Sequence, residues 1–490
     1  MTPPASRARW KHLHAPVLLP ALVILLGALL RIALLGVDVR LHPDEALFAA
    51  QARTVVTGGD ALLRGADLDK PPLAIYSVAL SFALLEPSEF AARLPNVFAS
   101  VLTLAALYRL TLALSDDRIT ALLAALLLAL SPYDLAFAAT ALTDVQATLW
   151  ALVAALMAAR GRWTLAGAVS ALMIATKLNA ALALPLVAAL GLAQTAHEGD
   201  SARAILARLG RFAGALAIGL ALLAVWDTAR SPQSFWALNA ARNNPGRLIR
   251  SDELLPRLEA WGGWLHHVTG APLLNLVLLS GAIVNLGSGW RSRSRAALAD
   301  WLIATWAIAF LAAHWLIAVN TYDRYLHLLV PFLLLLGARG AVRAVRAARI
   351  PRAGAIGLLA LALVAMAPGV IGALRGEARL GGDQGRHTGI DALAATINRE
   401  LPGAVVYENG LGWELAFYLG DRPRAQIVHT PQPEALADEM AGRADTRYFV
   451  TLSAEHAAPW LDALARIGIE ARRIEWDGPG EFALYALSAR

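Results

Sequence analysis

The sequence of 490 residues contains no cysteine, which excludes disulfides and thiolate metal ligands and leaves the redox compartment unreadable. Charge is also scarce, because 16% of the residues are charged while ordinary soluble domains have about 25%. Lysine occurs only at Lys11, Lys70 and Lys177. Any lysine in or next to an apolar segment is therefore a notable residue.

Long apolar runs are the main feature of the first three-quarters of the sequence, which is 57% hydrophobic overall. Repeated runs of about 18 or more apolar residues cannot all pack into one soluble core. The sequence therefore predicts an α-helical polytopic membrane protein. The first run, 17–35, is longer than a signal-peptide core and has no clear small-residue cleavage site, so we interpret it as a retained helix.

The net charge of +6 does not indicate nucleic acid as a partner, because the arginines gather in short connectors between apolar runs. Such positive connectors set membrane topology. They lie at 160–162, 203–211, 291–295 and 339–352. If the short apolar segment 71–86 does not span the membrane, all four connectors share the cytoplasmic side with the basic N-terminus. This assignment predicts about eleven transmembrane helices, with membrane lipids as partners.

The same assignment collects nearly every unusual polar residue on the opposite, outer side of the membrane. Ionisable groups next to a bilayer are costly and usually functional. The one-sided clustering therefore predicts a functional site on the outer face. The clustered features are Asp44 with Glu45, Lys70, the loop before Asp144, the turn at Lys177, and the segments 226–270 and 320–325.

The polar segment 40–72 is the predicted active-site loop, within an outer segment 38–92. It carries five acids, and Lys70 is followed directly by two prolines. Its 45–56 part is predicted to form an interfacial helix. A polar loop directly outside a membrane helix, with adjacent acids and an isolated lysine, is where chemistry is expected.

Two interpretations remain open for the charged residues of this loop. Asp44 and Glu45 either cap the following helix, because acids favour helix N-termini, or supply a general base for an acceptor hydroxyl or amine. Lys70 either anchors the loop by reaching the lipid headgroups, or binds a lipid-linked phosphate as a point charge.

Further charged residues follow on the same predicted face. Asp144 either caps an apolar helix or is a second carboxylate of the site. Lys177 lies between two apolar runs, as an anchor or a phosphate ligand. Arg324 either pairs with Asp323 or offers a bidentate guanidinium to phosphate.

The segment 235–256 is basic and carries Arg242. It is predicted to be either a surface amphipathic helix or part of the donor-phosphate site. His266 and His267 do not indicate a metal site, because no matched acid spacing accompanies them.

From about residue 375 the composition becomes that of a small α/β domain, because strand patterns alternate with helical ones. The predicted domains are therefore 1–374, in the membrane, and 375–490, outside it because the number of spans is odd. The predicted strands lie at 404–407, 425–429, 448–452, 471–475 and 482–487, and the predicted helices at 388–399 and 459–468.

The ordered motifs of residues 40–335 resemble the dolichyl-phosphate-mannose protein mannosyltransferase family in its bacterial branch. They look like glycosyltransferase families 39 and 83, which include the lipid A aminoarabinose transferases. The tail motif YENGLGWELAFYLG, 407–420, is similar to the extracytoplasmic domain of these enzymes. The matching motifs are DE at 44–45, KPPL at 70–73, EFAARLP at 89–95, LTD at 142–144, TKLN at 176–179 and DRYL at 323–326.

The resemblance implies the glycosyltransferase C (GT-C) fold, an active site on the outer face, and inverting transfer from a polyprenyl-phosphate sugar. The sugar would be mannose, an arabinose-type sugar or a similar one. Asp44 matches the proposed general base, which Glu45 would help to position, and Asp144 matches the acid of a later outer loop. The residues matched to handling of the donor phosphate are Lys70 and, further along, Lys177 and Arg324. Other residues expected on the active face are Asp69, Tyr322, Asp323 and Tyr325.

Some relatives use a metal near the lysine, but here Asp69 stands where an aminoarabinose transferase carries Glu, and no histidine partner follows. No metal site or cofactor is therefore predicted, although a divalent cation stays open. The acceptor is a lipid, a glycan or a protein, and the expected location is the bacterial inner membrane. The alternative functions are a transporter or flippase of lipid-linked substrates, which should show repeat symmetry, and a non-catalytic scaffold.

Overall fold

The computed structural model describes residues 7–198, 201–231, 233–290 and 294–489. The first six residues of the basic N-terminus and residues 291–293 of the third basic connector lie outside this description. By the packing of Cα atoms the chain divides into two compact units, each described by itself below.

Unit 1 consists of the residues up to Val37 together with Leu62–Ser77 and Arg93–Gly381. Unit 2 consists of Asp38–Ala61, Val78–Ala92 and the residues from Gly382 onward. Parts of the predicted outer segment 38–92 therefore pack with the C-terminal residues. The division into 1–374 and 375–490 stays a prediction.

Helices make up most of the described chain. Short 3₁₀ helices at Leu178–Ala183, Ser251–Glu253 and Asp323–Leu326 connect some of them. In chain order, the helices of the first three-quarters are α1 (Arg7–Leu34), α2 (Pro43–Val56), α3 (Leu73–Leu85), α4 (Glu89–Ser115), α5 (Arg118–Ala129), α6 (Pro132–Ala138), α7 (Thr143–Ala159), α8 (Trp163–Thr176), α9 (Leu184–Glu198), α10 (Ala202–Arg230), α11 (Phe235–Asn243), α12 (Leu254–His266), α13 (Pro272–Gly289), α14 (Arg295–Leu316), α15 (Val330–Ala347) and α16 (Arg352–Leu374).

Seven helices in the described residues are long and apolar enough to cross a membrane, and the bent pair α5 and α6 would make an eighth. The 57° bend follows from Ser131 and Pro132. Ser131 caps α6, and proline, which lacks an N–H, suits the first helical position but not the interior of a continuing helix. The predicted polytopic membrane class is confirmed.

The predicted count of eleven spans is not confirmed. The helices α3, α7 and α8 are apolar, but they have 13, 17 and 14 residues, fewer than the roughly 20 that span a bilayer. The segment 71–86, predicted not to span, contains only α3. The helix α15 is not among the seven candidate spans, because three arginines lie in its C-terminal half.

The C-terminal part of unit 2 is a five-stranded sheet flanked by helices, so the predicted small α/β domain is confirmed. The strand order is β2-β1-β3-β5-β4. The strand β1 is parallel to β2 and β3, whereas β5 is antiparallel to β3 and β4. In chain order the elements are α17 (Ile390–Glu400), β1 (Val405–Asn409), α18 (Gly412–Tyr418), β2 (Gln426–His429), α19 (Pro433–Met440), β3 (Arg447–Thr451), α20 (Ala454–Arg466), β4 (Ile469–Ile474) and β5 (Ala483–Ala489).

Alternation along the strands builds a core on each face of this sheet, because successive side chains point to opposite faces. Val406 and Leu484 pack into the cluster that contains α17 and α18. Tyr407 and Tyr485 pack into the cluster that contains α19 and α20. The five strands fall within two residues of their predicted starts.

One predicted boundary in this domain is wrong. The helix predicted at 459–468 begins at Ala454 and ends at Arg466, as α20. The Ser453 hydroxyl oxygen accepts from the backbone N–H of His456 (3.1 Å), and this cap starts the helix before Pro459.

Candidate active site

The first group of predicted site residues lies at the end of the loop that precedes α3, in unit 1. The Asp69 carboxylate accepts from Lys70 Nζ (2.5 Å) and from Asn243 Nδ2 (3.0 Å). Asn239 Nδ2 also donates to the Asp69 carbonyl (2.9 Å). Asn239 and Asn243 lie one turn apart on α11, so both amides reach Asp69. The helix α11 therefore fixes the backbone of the loop next to Lys70. The Lys70 side chain is still 33% exposed.

Arg242 holds the same loop through a neighbouring acid. Its guanidinium donates to the Asp67 carboxylate, and this hydrogen bond raises the pKa of Arg242. Both side chains are about half exposed. Phosphate binding by Arg242 stays a prediction, and a phosphate there would compete with Asp67.

The same loop is also held by Arg230, a buried residue that was not among the predicted site residues. Arg230 Nη1 donates to the carbonyls of Leu63 (3.2 Å) and Ala66 (3.0 Å). Leu63 has φ of 56°, a left-handed conformation that costs a branched side chain energy and that the neighbouring contacts must hold. Asp227 accepts from Ser234 Oγ (2.5 Å), which turns the end of α10 into α11.

The second group joins residues that are distant in the sequence, also in unit 1. Lys177 Nζ lies 2.5 Å from Asp144 Oδ1, and it lies 5.0 Å from the centre of the Tyr325 ring. Asp144 is in the first turn of α7, and Lys177 follows the last residue of α8. The structure therefore brings together three residues that the sequence analysis assigned separately to the outer face.

Little space remains beside this pair. A cavity of about 10 Å³ is lined by Asp144, Lys177, Asn179 and Tyr325, among others, and about 10–15 Å³ is needed for one water. Asp144 Oδ2 is buried without a hydrogen-bond partner in the described chain. The oxygen can therefore accept a further bond only from a small group or after the surrounding residues move.

The turn Asp323–Leu326 carries the remaining predicted residues. The Arg324 backbone N–H donates to Asp323 Oδ1 (2.7 Å), and the Gly381 N–H donates to Asp323 Oδ2 (2.8 Å). The Arg324 guanidinium lies 4.5 Å from the centre of the Tyr322 ring. Asp323 thus shapes the backbone of the turn, while Arg324 lies against an aromatic face.

A buried polar network holds this turn to the membrane helices, and the sequence analysis missed it. Asp134 accepts from Arg31 Nη2 (2.5 Å) and from Ser100 Oγ (2.8 Å). His327, directly after the turn, contacts Asp134 (3.3 Å) and Thr148 (2.9 Å). The available signal was a lone charge inside each of two apolar runs, since such groups are usually paired or functional.

The two groups are connected through the start of α3. Gln146, two residues after Asp144, donates to Ser77 Oγ (2.8 Å) and to Asn96 Oδ1 (2.9 Å). Trp226 Nε1 donates to Tyr76 Oη (2.8 Å). The short helix that follows Lys70 is therefore bonded both to α7, which carries Asp144, and to α10.

Asp44 and Glu45 belong to unit 2, in the first turn of α2. Glu45 is fully buried, and its carboxylate accepts from the His42 backbone N–H (3.0 Å). His42 Nδ1 in turn accepts from the Asp44 backbone N–H (3.1 Å). Glu45 therefore makes the capping contact, and its partner in the cap is His42. The role of Asp44 as a base stays a prediction.

A cluster with perturbed pKa values lies in the C-terminal part of unit 2. Burial raises the pKa of Glu414 to about 7. Although burial opposes it, the bond to Asp383 (2.5 Å) and the charge of Glu414 raise the pKa of His387. His387 Nε2 lies 3.1 Å from Glu414 Oε1. The cluster joins the chain before α17 to α18, a helix that packs on α2.

No group of three or more histidine, aspartate or glutamate side chains within the described residues is arranged to hold a metal ion. The divalent cation therefore stays an open expectation.

The chain is similar in fold to solved structures that include ArnT from Cupriavidus metallidurans and an oligosaccharyltransferase from Archaeoglobus fulgidus. Apo ArnT matches with a TM-score of 0.65 at 18% identity, over 95% of this chain and 97% of that chain. ArnT bound to undecaprenyl phosphate matches with a TM-score of 0.66 at 15% identity, over the same shares. The apo archaeal enzyme matches with a TM-score of 0.57 at 12% identity, over 96% of this chain and 75% of that chain.

The fold is therefore the GT-C glycosyltransferase fold, as the resemblance predicted. Residues 69–228 match the family model of dolichyl-phosphate-mannose-protein mannosyltransferase, which confirms the resemblance over that segment. No curated protein matches the sequence significantly.

Proposed function

We propose that the chain is a membrane glycosyltransferase that moves a sugar from a polyprenyl phosphate to an acceptor, with inversion at the anomeric carbon. The observation that carries the proposal is a GT-C fold that matches over 95% of this chain and 97% of ArnT, which has a structure bound to undecaprenyl phosphate. The matched segment 69–228 begins at Asp69 and Lys70, the residues of the first group. The transporter alternative is not favoured, because the matched structures are transferases.

Lys70 is the proposed ligand of the donor phosphate. Its ammonium is partly exposed, and the contacts of Asp69 with Asn243 and Asn239 fix the adjoining backbone. A fixed cation stabilises the charge that develops on a departing phosphate, without reorganising during the reaction. Lys177 and Arg324 are proposed to contribute a further cation each, and Arg242 to bind at the edge of the loop.

The proposed reaction is a single displacement. The acceptor oxygen or nitrogen forms a bond to the anomeric carbon, and the bond between that carbon and the phosphate oxygen breaks. The polyprenyl phosphate leaves with the electron pair, and the Asp44 carboxylate takes the acceptor proton. Glu45 supports Asp44 by capping the start of α2, and Asp144 is proposed as the second carboxylate.

We propose that the donor is a polyprenyl-phosphate mannose, arabinose or similar sugar and that the acceptor is a glycan, lipid or protein. The archaeal oligosaccharyltransferase AglB has a structure with an inhibitory peptide and dolichol-phosphate, which supports a lipid-phosphate donor and a peptide as one acceptor class. Polyprenyl phosphates lie in membranes, so the multi-pass body matches the donor's location.

The proposed location is the bacterial inner membrane, with the site and the tail on the extracytoplasmic side. Two ion pairs of unit 1 are consistent with this orientation. Asp144 pairs with Lys177 on the predicted outer side, and Arg346 pairs with Asp117 on the predicted cytoplasmic side. The chain has no cysteine, so single cysteines can report sidedness. We expect an impermeant maleimide to label Asn244→Cys in intact spheroplasts, and Arg352→Cys only after permeabilisation. The reverse pattern would contradict the orientation.

The test of function is transfer of labelled sugar from polyprenyl-phosphate mannose or arabinose by the purified full chain. Asp44→Asn should reduce turnover by about 10²–10⁴-fold, the range for loss of a general base. The matched control is Asp477→Asn, an exposed residue of the same unit, which should keep full activity. Near-normal turnover of Asp44→Asn would remove Asp44 from the role of base.

A further inference from the structure

A basic cavity lies between α5, α13 and α15, on the side of unit 1 that the arginine connectors predict to be cytoplasmic. Its volume is about 210 Å³, many times the roughly 15 Å³ that one water requires. None of the predicted site residues lines it. The polar residues that line this basic cavity are Ser115, Asp117, Thr120, Asn285, Arg339, Arg343 and Arg346.

The helix geometry follows from the sequence of α15. Arg339, Arg343 and Arg346 are spaced by four and three residues, so they share one face of the helix. Gly340 and Gly281 let α15 and α13 cross with their backbones in contact, because a Cβ at Gly340 would overlap the Gly281 backbone. The close crossing brings the ends of the two helices together around the basic cavity.

Two of the three arginines are paired with carboxylates. Arg346 makes two bonds to Asp117, of 2.8 and 3.1 Å, at a site where the arginine side chain is 57% exposed. Arg339 Nε lies 3.0 Å from Asp300 Oδ1, and both side chains are largely buried. Three guanidinium groups and two carboxylates leave one positive charge in excess.

The excess charge lies at Arg343. This side chain donates to a neutral amide oxygen, Asn285 Oδ1 (3.2 Å), and no ion pair with it forms among the described residues. Arg339 Nη1 is buried without a hydrogen-bond partner in that same part of the chain. The cavity therefore offers the excess charge of Arg343, with the guanidinium of Arg339 in its lining, to an acceptor that brings a negative charge.

Apolar side chains flank the lining residues in the sequence and are exposed. Ile119, next to Thr120, is 60% exposed, and Ile283 and Val284, within two residues of Asn285, are 60% and 67% exposed. On a polytopic membrane protein such side chains suit contact with acyl chains. A ligand with a charged head and apolar tails therefore fits both parts of the surface.

We propose that the basic cavity binds the phosphate of an anionic lipid headgroup, with the Arg343 guanidinium as its donor and Arg339 in the wall beside it. The guanidinium group matches phosphate oxygens in geometry, and basic pockets between membrane helices on the cytoplasmic side suit such headgroups. Inorganic phosphate offers the same chemistry without tails. The proposed site is independent of the transfer reaction.

The test is titration of a short-chain phosphatidylglycerol into the detergent-purified full chain, with bound lipid counted by native mass spectrometry. Arg343→Gln should weaken binding about tenfold, as loss of one charge-assisted bond predicts. The matched control is Arg352→Gln, which removes an exposed arginine of the same predicted face and should leave binding unchanged. Val342→Trp, which adds bulk at a lining residue without changing charge, should abolish binding.

Parallel titrations use the phosphatidylcholine with the same tails and inorganic phosphate. Weaker binding of both supports the proposal, because it requires the negative charge and the tails together. Equal binding of phosphatidylcholine would overturn the role of the excess charge. Equal binding of inorganic phosphate would contradict a lipid as the ligand. If Arg352→Gln weakens binding as much as Arg343→Gln does, the basic cavity is not the binding site.

Discussion

The two lysine–carboxylate pairs of unit 1 have the same chemistry in different surroundings. Asp69 and Lys70 are neighbours in a loop, and the lysine side chain is 33% exposed. Asp144 and Lys177 are 33 residues apart, and their side chains are 6% and 16% exposed. Amides of α11 also hold the first pair, whereas the second lies between membrane helices beside a cavity of about 10 Å³.

The difference in exposure predicts a binding role for the first pair and a structural role for the second. A partly exposed lysine can exchange its carboxylate partner for a phosphate at little cost to the fold, because solvent already screens the pair. A buried lysine that loses its carboxylate leaves an uncompensated charge. We therefore expect Lys70 to act mainly on donor affinity, and the pair of Asp144 and Lys177 to act on stability as well.

The largest expected effect is on stability. Asp144→Ala should lower the free energy of unfolding by roughly 3 kcal/mol or more, because breaking a buried ion pair leaves the Lys177 charge unpaired. The measurement is thermal unfolding in detergent, followed by tryptophan fluorescence. Asp69→Ala is the matched control and should change the midpoint much less.

A double variant sharpens the same contrast. Asp144→Asn with Lys177→Met removes both charges and should be more stable than either single variant, which is the signature of direct coupling. Equal losses in Asp144→Ala and Asp69→Ala would remove the distinction between the pairs.

The next effect is on donor use. Lys70→Ala should raise the KM for the polyprenyl-phosphate sugar about tenfold to a hundredfold, since a charge-assisted bond contributes roughly 1.5–3 kcal/mol. The unfolding midpoint should stay near that of the unchanged chain. Steady-state kinetics over a range of donor concentrations measures the change. An unaltered KM would favour the role of Lys70 as a membrane anchor.

A third carboxylate cluster, in unit 2, has histidine where the others have lysine, and histidine titrates near neutral pH. Glu414 has its pKa raised to about 7, and the pKa of His387 is raised above the ordinary 6.5. Both groups therefore bind protons more tightly when folded, and unit 2 should lose stability as the pH rises from about 4.5 through 7. We expect a loss on the order of 2 kcal/mol.

Hydrogen exchange of residues 382–489 in the full chain, corrected for intrinsic rates, measures this change between pH 5.5 and 8. Glu414→Gln should flatten the dependence, because it removes one of the two groups that titrate. Stability that rises with pH over this range would show that the sign is wrong.

The smallest expected effect concerns the support of Lys70. Asn243→Ala removes a hydrogen bond to Asp69 and should raise the donor KM a fewfold, since one such bond contributes about 1 kcal/mol. The conservative variant Asn243→Gln should recover part of the loss. If Asn243→Ala lowers the unfolding midpoint and leaves the KM unchanged, its contact is structural only.

The sequence predicted the fold well where a pattern repeats over short distances. Short strand patterns predicted the five strands of the C-terminal domain, and the length of the apolar runs predicted the membrane class. Charge in the connectors placed Asp144, Lys177 and Tyr325 on one face, where the structure joins them. The number of spans was not recoverable in this way, because α7 and α8 are apolar but short.

The contacts of the site were less predictable. The pairing of Asp144 with Lys177 depends on how α7 packs against α8, which composition does not report. Arg31 and Asp134 were each a lone charge in an apolar run, and only the helix packing shows that they are 2.5 Å apart. The support that Arg230 gives to the loop was missed because its partners there are backbone carbonyls, which every sequence contains.

The proposed transfer reaction is tested by the release of polyprenyl phosphate from a labelled polyprenyl-phosphate sugar by the purified full chain. We expect one polyprenyl phosphate released for each sugar transferred, an inverted anomeric configuration in the product, and a higher KM for the donor in Lys70→Ala. A chain that binds the donor but never cleaves it, over the whole range of donors and acceptors, would contradict the proposed activity and leave only the fold.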